Sequence, residues 1–260
     1  MRLFLSLLGS VLLLAGGVRA DPPAAGDDGD PLAAAPAPLR EAVAQFGRDA
    51  NRWAYTVHTV SRDKKGRVTE DTVARFDPSQ HYDVQWTLLQ TGGKDATAVE
   101  QKKFRKQRAK MNKDRKTFGE LLDLAQARLI PDAPGAPATL SYLVPLRQEA
   151  NSRFPVDKVE AIVRIDAGRQ AFQAIELRLK QAVRALLIAK VKSASATIDF
   201  RAADPRFAPV VCRIRADLGA AIAFVPVEQH TEQTRSDFKR VTPYDDRFVV
   251  KPGPLRTIDF

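Results

Sequence analysis

From Trp53 onward the chain returns repeatedly to a two-residue alternation of apolar and polar side chains, the period at which successive residues of a strand face opposite ways. Trp53, Tyr55, Val57 and Thr59 share one face, and a second run, Arg67 to Asp77, follows the turn-like Arg62-Asp63-Lys64-Lys65-Gly66. Tyr82, Val84, Trp86 and Leu88 form a third. Further on, Val159, Ala161, Val163 and Ile165 alternate. Asp166-Ala167-Gly168-Arg169 is a hairpin signal before Ile175, Leu177 and Leu179. Runs at Ala189–Phe200, Phe207–Asp217 and Ala221–Val241 follow, separated by Asp204-Pro205 and Leu218-Gly219. Strands outnumber helices and no strand-helix-strand alternation appears, which argues against a parallel sheet. The pattern predicts an α+β, β-dominated fold: a curved antiparallel sheet with one face dry and one wet.

A few short helices complete the picture. Leu39, Ala42, Val43, Phe46 and Ala50 recur at helical spacing after an Ala-, Pro- and Asp-rich stretch, Asp21 to Pro38, that reads as a flexible leader. Thr97 and Glu100 match a capping box, and the helix they open is strongly basic. Its apolar stripe is only Phe104, Met111 and Phe118, so the helix is expected to be exposed, with Lys102, Lys103, Arg105, Lys106 and Lys110 as an electrostatic surface. Glu120 to Ile130 reads as another short helix, ended by the Pro-rich loop 131–137. Residues 39–260 are expected to form one domain.

Residues 1–20 have the layout of a secretory signal peptide. Arg2 precedes an apolar stretch from Leu3 to Val18, and Val18-Arg19-Ala20 places small residues where a signal peptidase cuts, so cleavage is expected after Ala20. The apolar run is shorter than the roughly 20 residues that span a bilayer. Export to an oxidising compartment without a disulfide framework is implied, because Cys212 is the single cysteine. Its alternation with Val210 and Ile214 places it in the core. The net charge is +10, and removing Arg2 and Arg19 leaves 39 basic against 31 acidic residues, or +8. Such a field favours anionic partners, with export pointing to acidic lipid or polyanionic polymers and away from nucleic acid.

Motifs that carry chemistry are absent. The chain lacks a Gly-x-Ser-x-Gly elbow, a His-Glu-x-x-His helix and a phosphate loop, and Gly92-Gly93-Lys94 reads as a turn. His58, His81 and His230 are scattered without metal-ligand spacing. Asp245 and Asp246 are adjacent, as neighbours that diverge on an extended segment, and Asp157 and Glu160 read as solvated carboxylates. The sequence therefore predicts a non-enzymatic protein that calls for no metal and no cofactor. With many apolar strand faces and few amphipathic covers, the sheet is expected to enclose a ligand-sized cavity. Trp53, Tyr55, Trp86, Ala161 and Phe224 are its candidate lining.

The order of elements over residues 39–250, a leading helix, antiparallel strands, a helical insertion and a longer run of strands, resembles the periplasmic lipoprotein-carrier (LolA/LolB-like) superfamily. That resemblance implies an incomplete barrel around helices with an apolar interior for acyl chains, and hence a lipid or lipidated protein as partner. It also implies a ligand-release arginine, for which Arg48, Arg52, Arg67 and Arg75 are alternatives. Trp86-Thr87-Leu88-Leu89, Gly92-Gly93-Lys94 and the basic helix resemble a segment of exported bacterial proteins without an assigned activity. The functional expectation is a periplasmic binder or carrier of a lipid-like or lipidated ligand. The alternative is an envelope interaction or sensor module that docks an acidic partner through the basic helix.

Overall fold

The computed structural model describes residues 32–113, 118–131, 138–147, 156–186, 189–222 and 225–247. The expected signal segment 1–20, the loop 132–137 and Phe224 lie outside the described residues. Helix α1 (Ala37–Asp49) leads into β1 (Trp53–Asp63), β2 (Val68–Phe76), β3 (Trp86–Thr91) and the two-residue β4 (Lys94–Asp95). Helix α2 (Ala98–Lys113) and the single-turn α3 (Phe118–Leu121) follow, then β5 (Arg128–Ile130), β6 (Thr139–Val144), β7 (Val159–Asp166) and β8 (Ala171–Leu179). The chain closes with β9 (Val183–Leu186), β10 (Ala189–Arg201), β11 (Val210–Ile222) and β12 (Val225–Arg240). Among the described residues no helix is long and apolar enough to cross a membrane.

All twelve strands belong to one antiparallel sheet ordered β4-β3-β2-β1-β12-β11-β10-β8-β7-β6-β5, with β9 paired to β10 off this path. The sheet is open, and its ends are the short strands β4 and β5, which offer little unpaired backbone to other chains. Directly opposed residues of an antiparallel pair point to the same face, so the register defines each face across the whole sheet. One row runs Thr72, Thr59, Gln233, Ile214, Ile198, Ile175, Val163, Tyr142. A second runs Glu70, Ser61, Thr231, Ala216, Ala196, Leu177, Ala161, Val144. Thr59, Ser61, Thr231 and Gln233 are buried with their aliphatic neighbours, so this inner face is continuous from β2 to β6.

Two apolar clusters occupy it. On β6 to β11, α1 lays Leu39, Ala42 and Phe46 over Val144, Ala161, Val163, Ile175 and Ile198. Phe46 meets Phe172 and Phe200 edge-on at 5.8 and 5.6 Å. On β1 to β3 the second cluster gathers Trp53, Tyr55, Val57, Phe76, Trp86 and Leu88 beneath Phe104 of α2.

Several expectations need correction. The third alternating run begins only at Trp86, because Tyr82–Val84 is a 3-10 turn with Tyr82 and Val84 exposed. The segment expected as a helix at 120–130 is one helical turn, then a 3-10 turn at Leu124–Gln126, then edge strand β5. Its buried Leu122 and Leu124 plug the α1 cluster, a role that needs apolar residues but no regular helix. Leu218-Gly219 does not separate two strands: β11 runs through it, and a Cβ at Gly219 would lie 2.5 Å from Ser193 Oγ. Strands β6 and β9 have no counterpart in the alternation singled out above. The packed part of the chain also starts before Leu39, since Ala35 is buried against α1.

Ala161 is fully buried in the α1 cluster, between Val144 and Leu177 on neighbouring strands. Enlarging it forces displacement of close-packed neighbours. Ala161→Leu should therefore cost about 1–3 kcal/mol in urea unfolding.

Candidate functional site

The inner face changes character where β1 meets β12. Val57 opposes Arg235, Thr59 opposes Gln233 and Ser61 opposes Thr231, so a buried polar seam separates the two apolar clusters. Ser61 Oγ and Thr231 Oγ1 share a hydrogen bond of 3.0 Å, and Ser61 donates to Glu70 at 3.4 Å. Strand β12 supplies this seam because it is polar on both faces: Thr231, Gln233 and Arg235 point inward while His230, Glu232 and Thr234 point outward.

A β-bulge shapes the end of the seam. Between Ala54 and Thr56, β12 uses one more residue than β1, and Asp237 takes up the extra length with φ of 51°. Arg235 and Phe238 are three apart and would face opposite ways in a regular strand. The bulge puts both against Tyr55, with the Arg235 guanidinium carbon 4.6 Å and the Phe238 ring 5.9 Å from its ring centre.

Tyr55 is the centre of an aromatic patch. Phe76 lies 5.2 Å and Trp86 6.3 Å away, and Trp86 contacts Phe76 at 4.9 Å. Phe104 of α2 meets the edge of Trp86 at 6.4 Å, and Arg108, one helical turn on, lays its guanidinium 4.5 Å over the same indole. Trp53 extends the patch through Phe238 and Phe207, where Arg240 stacks on Phe207 at 3.5 Å. Arg240 is also tied to Asp49 at 2.9 Å, which joins the end of α1 to this wing.

Several polar atoms in this patch are buried with no hydrogen-bond partner among the described residues: Trp53 Nε1, Tyr55 Oη, Trp86 Nε1, Arg235 Nε and Arg240 Nη1. Buried donors are normally satisfied, so a cluster of orphans sets this patch apart. Burial pushes the Arg235 guanidinium below its ordinary pKa, against smaller opposing effects of Tyr55 and Cys212. Arg108 is half-buried as a residue, yet its guanidinium is turned onto the rings. Burial pushes it down as well, the positive charge of Arg235 adds to this, and Tyr55 and Glu70 oppose it.

Of the residues expected to line a ligand site, the structure brings Trp53, Tyr55 and Trp86 together and leaves Ala161 in the other cluster. Lys102, Lys103, Arg105 and Lys106 are exposed on α2 as expected, and the side chain of Lys110 lies outside the described part. The helix is not exposed all round, however, since Phe104 and Arg108 hold its inner side. The capping box forms, with Thr97 N and Oγ1 donating to Glu100 at 2.8 and 2.7 Å and Glu100 N donating back at 3.3 Å. Those bonds hold the Glu100 carboxyl below its usual pKa.

Sequence reasoning missed Arg235, the seam and the particular role of Arg108. The available signals were the two-sided polarity of β12 and the four-residue spacing of Phe104 and Arg108.

The other candidates lie elsewhere. His58 and His230 sit on the outer face, each against its own aspartate, Asp71 at 2.8 Å and Asp217 at 2.6 Å. His81 lies in a separate turn beside Asp83. Asp246 pairs with Arg52, and Asp245 accepts from Tyr82. Cys212 is half-buried rather than a core residue, with Sγ donating to the Asp199 carbonyl at 3.4 Å, and burial pushes its thiol pKa up. The four arginines offered for a release role are engaged outside the patch: Arg48 with Glu41, Arg52 with Asp246, Arg67 with Asp63, and Arg75 with Thr56 and the Asp237 carbonyl.

No family model matches the chain, and no curated protein is significantly similar to it.

Phe104 carries much of the attachment of α2 to β3. Phe104→Ala should remove about 1–2 kcal/mol of local stability, as expected for a half-buried aromatic. Hydrogen exchange should then quicken at the amides of α2 while β10 and β11 stay protected.

Proposed function

We propose that this chain is an exported, non-enzymatic binding or carrier protein of the periplasm whose ligand is lipid-like or lipidated. The observation that supports it most is the make-up of the inner face: apolar clusters on both wings, a buried polar seam between them, and unsatisfied donors among the aromatic rings of one wing. Such a surface matches an amphipathic molecule better than a wholly apolar or wholly polar one. Acyl methylenes placed against the aromatic wing would each contribute about 0.8 kcal/mol. The likeness in element order to periplasmic lipoprotein carriers points the same way, as does the signal-like character of residues 1–20.

Protein purified from its own envelope should carry co-purified lipid in native mass spectrometry. The delipidated protein should bind a fluorescent fatty acid, with Trp86→Ala weakening it about tenfold, the equivalent of roughly 1.4 kcal/mol. Absence of both lipid and fatty-acid binding would remove the carrier reading.

A second reading, an interaction or sensor module, is favoured by one observation: Lys102, Lys103, Arg105 and Lys106 are exposed on α2 with no carboxylate partner among the described residues. Such a surface suits contact with anionic lipid or an acidic protein. Changing Lys102, Lys103, Lys106 and Lys110 to Gln should leave unfolding within about 0.5 kcal/mol of the parent. Binding to anionic vesicles should fall, with the larger loss at low salt. Unchanged vesicle binding with a strong drop in stability would make the basic surface structural.

A further inference from the structure

We propose that Arg108 and Arg235, together with Tyr55 and Trp86, form a subsite for the oxyanionic group, carboxylate or phosphate, of the bound ligand. This deepens the carrier reading and rests on it only for the apolar part of the ligand.

The four side chains form one contiguous patch. Arg235 lies over Tyr55 at 4.6 Å, Tyr55 contacts Trp86 at 6.3 Å, and Arg108 lies over Trp86 at 4.5 Å. An aromatic ring offers a guanidinium an electrostatic contact but does not satisfy its N–H donors as an oxygen acceptor does. Arg235 is 9% exposed and its Nε has no acceptor; Tyr55 Oη and Trp86 Nε1 are buried beside it in the same state. The patch is therefore rich in donors and poor in acceptors.

No carboxylate among the described residues lies within ion-pairing distance of either guanidinium. Glu70, whose charge reaches Arg108, accepts from Ser61. Elsewhere the same chain supplies arginines with acids freely: on the outer face, Arg164 pairs with Glu176, Arg178 with Glu160, Arg213 with Glu232 and Arg215 with Asp199. Two cations with no ion-paired acid among the described residues, close enough for one to depress the other, leave the free site with an excess of positive charge that Glu70 offsets without an ion pair. A planar or tetrahedral oxyanion supplies the missing charge and the missing acceptors at once, and arginine forks are suited to hold it.

The two cations also come from different elements, β12 in the sheet and α2 over it. An oxyanion between them would tie the helix to the strand, a link now made by Phe104 on Trp86 and by stacking of Arg108.

The test is titration of the delipidated full-length chain, followed by tryptophan fluorescence, since both tryptophans, Trp53 and Trp86, lie in this wing. The probes are oleate, oleyl alcohol and inorganic phosphate, applied to the parent, Arg235→Gln and Arg108→Gln. Oleate should bind about tenfold or more tighter than oleyl alcohol. Each substitution should abolish that preference while oleyl alcohol still binds. Arg235→Gln should unfold at the same or a higher temperature in the absence of ligand. If it fails to fold, Arg108→Gln on the half-exposed helix carries the test.

Equal binding of oleate and oleyl alcohol by the parent, or a preference that survives both substitutions, overturns the subsite and leaves the carrier reading intact. Phosphate binding that depends on both arginines, without binding of either amphiphile, upholds the subsite for a free oxyanion and removes the carrier reading. No response to any probe overturns both.

Discussion

Trp53 pairs with Arg240 and Asp63 with Gln229, so the first long strand of the chain is joined to the last. On one side of this seam lie β2, β3 and β4, on the other every strand from β5 to β11. Without the seam there would be two sheets, each with one apolar face and an exposed long edge, the arrangement that invites association with other chains. Joining them removes both edges and sets the inner faces in register. The cost falls on folding kinetics, because contacts so distant in sequence close a large loop before they yield anything.

The seam is also where the register must be specified, and polar pairing suits that task. A shift of β12 by one residue would turn His230, Glu232 and Thr234 inward and expel Thr231, Gln233 and Arg235. It would break the Ser61–Thr231 hydrogen bond and separate Glu232 from Arg213 and His230 from Asp217 on the outer face. A shift by two residues, which keeps every side chain on its face, would break the same hydrogen bond and ion pairs, a penalty that an all-aliphatic seam would lack. The buried polar strip and the outer ion pairs thus specify the same alignment from opposite faces. Asp237 then interrupts the strand at the one place where Arg235 and Phe238 must share a face.

Much of the sheet was legible in the sequence because a strand with one dry face prints its period directly. Trp53 to Thr59, Val159 to Ile165 and Ile175 to Leu179 all alternate on the face later found inside. The turn at Gly92-Gly93, with φ of 58° and 73°, and the Thr97–Glu100 box were equally plain, since each depends on residues close in sequence. What the period does not encode is which strands become neighbours. Trp53, Tyr55 and Trp86 could therefore be grouped on aromatic character, but Ala161 could not be separated from them until β7 was placed under α1. Arg235 was hidden for a related reason. In a strand polar on both faces, nothing local marks which polar residues are inside. Arg108 was lost in a run of basic residues whose members differ only in the direction they face.

The two helical covers are unequal, and on the carrier reading the inequality bears on how a ligand would reach the inner face. Helix α1 commits Leu39, Ala42 and Phe46 to its cluster and is tied at its end through Asp49 to Arg240 and to the Ala208 amide. Among the described side chains, helix α2 touches its cluster through Phe104 and Arg108, with Lys102, Lys103, Arg105 and Lys106 in solvent. Local opening follows the amount of apolar contact that must be broken, so on the contacts of the described side chains α2 is the cover that lifts at lower cost. It lies over the wing that holds the unsatisfied donors. On the carrier reading, access and recognition then fall at one place: the weakly held cover contributes one of the two cations, so an anionic ligand would strengthen the attachment of the same helix whose release admits it.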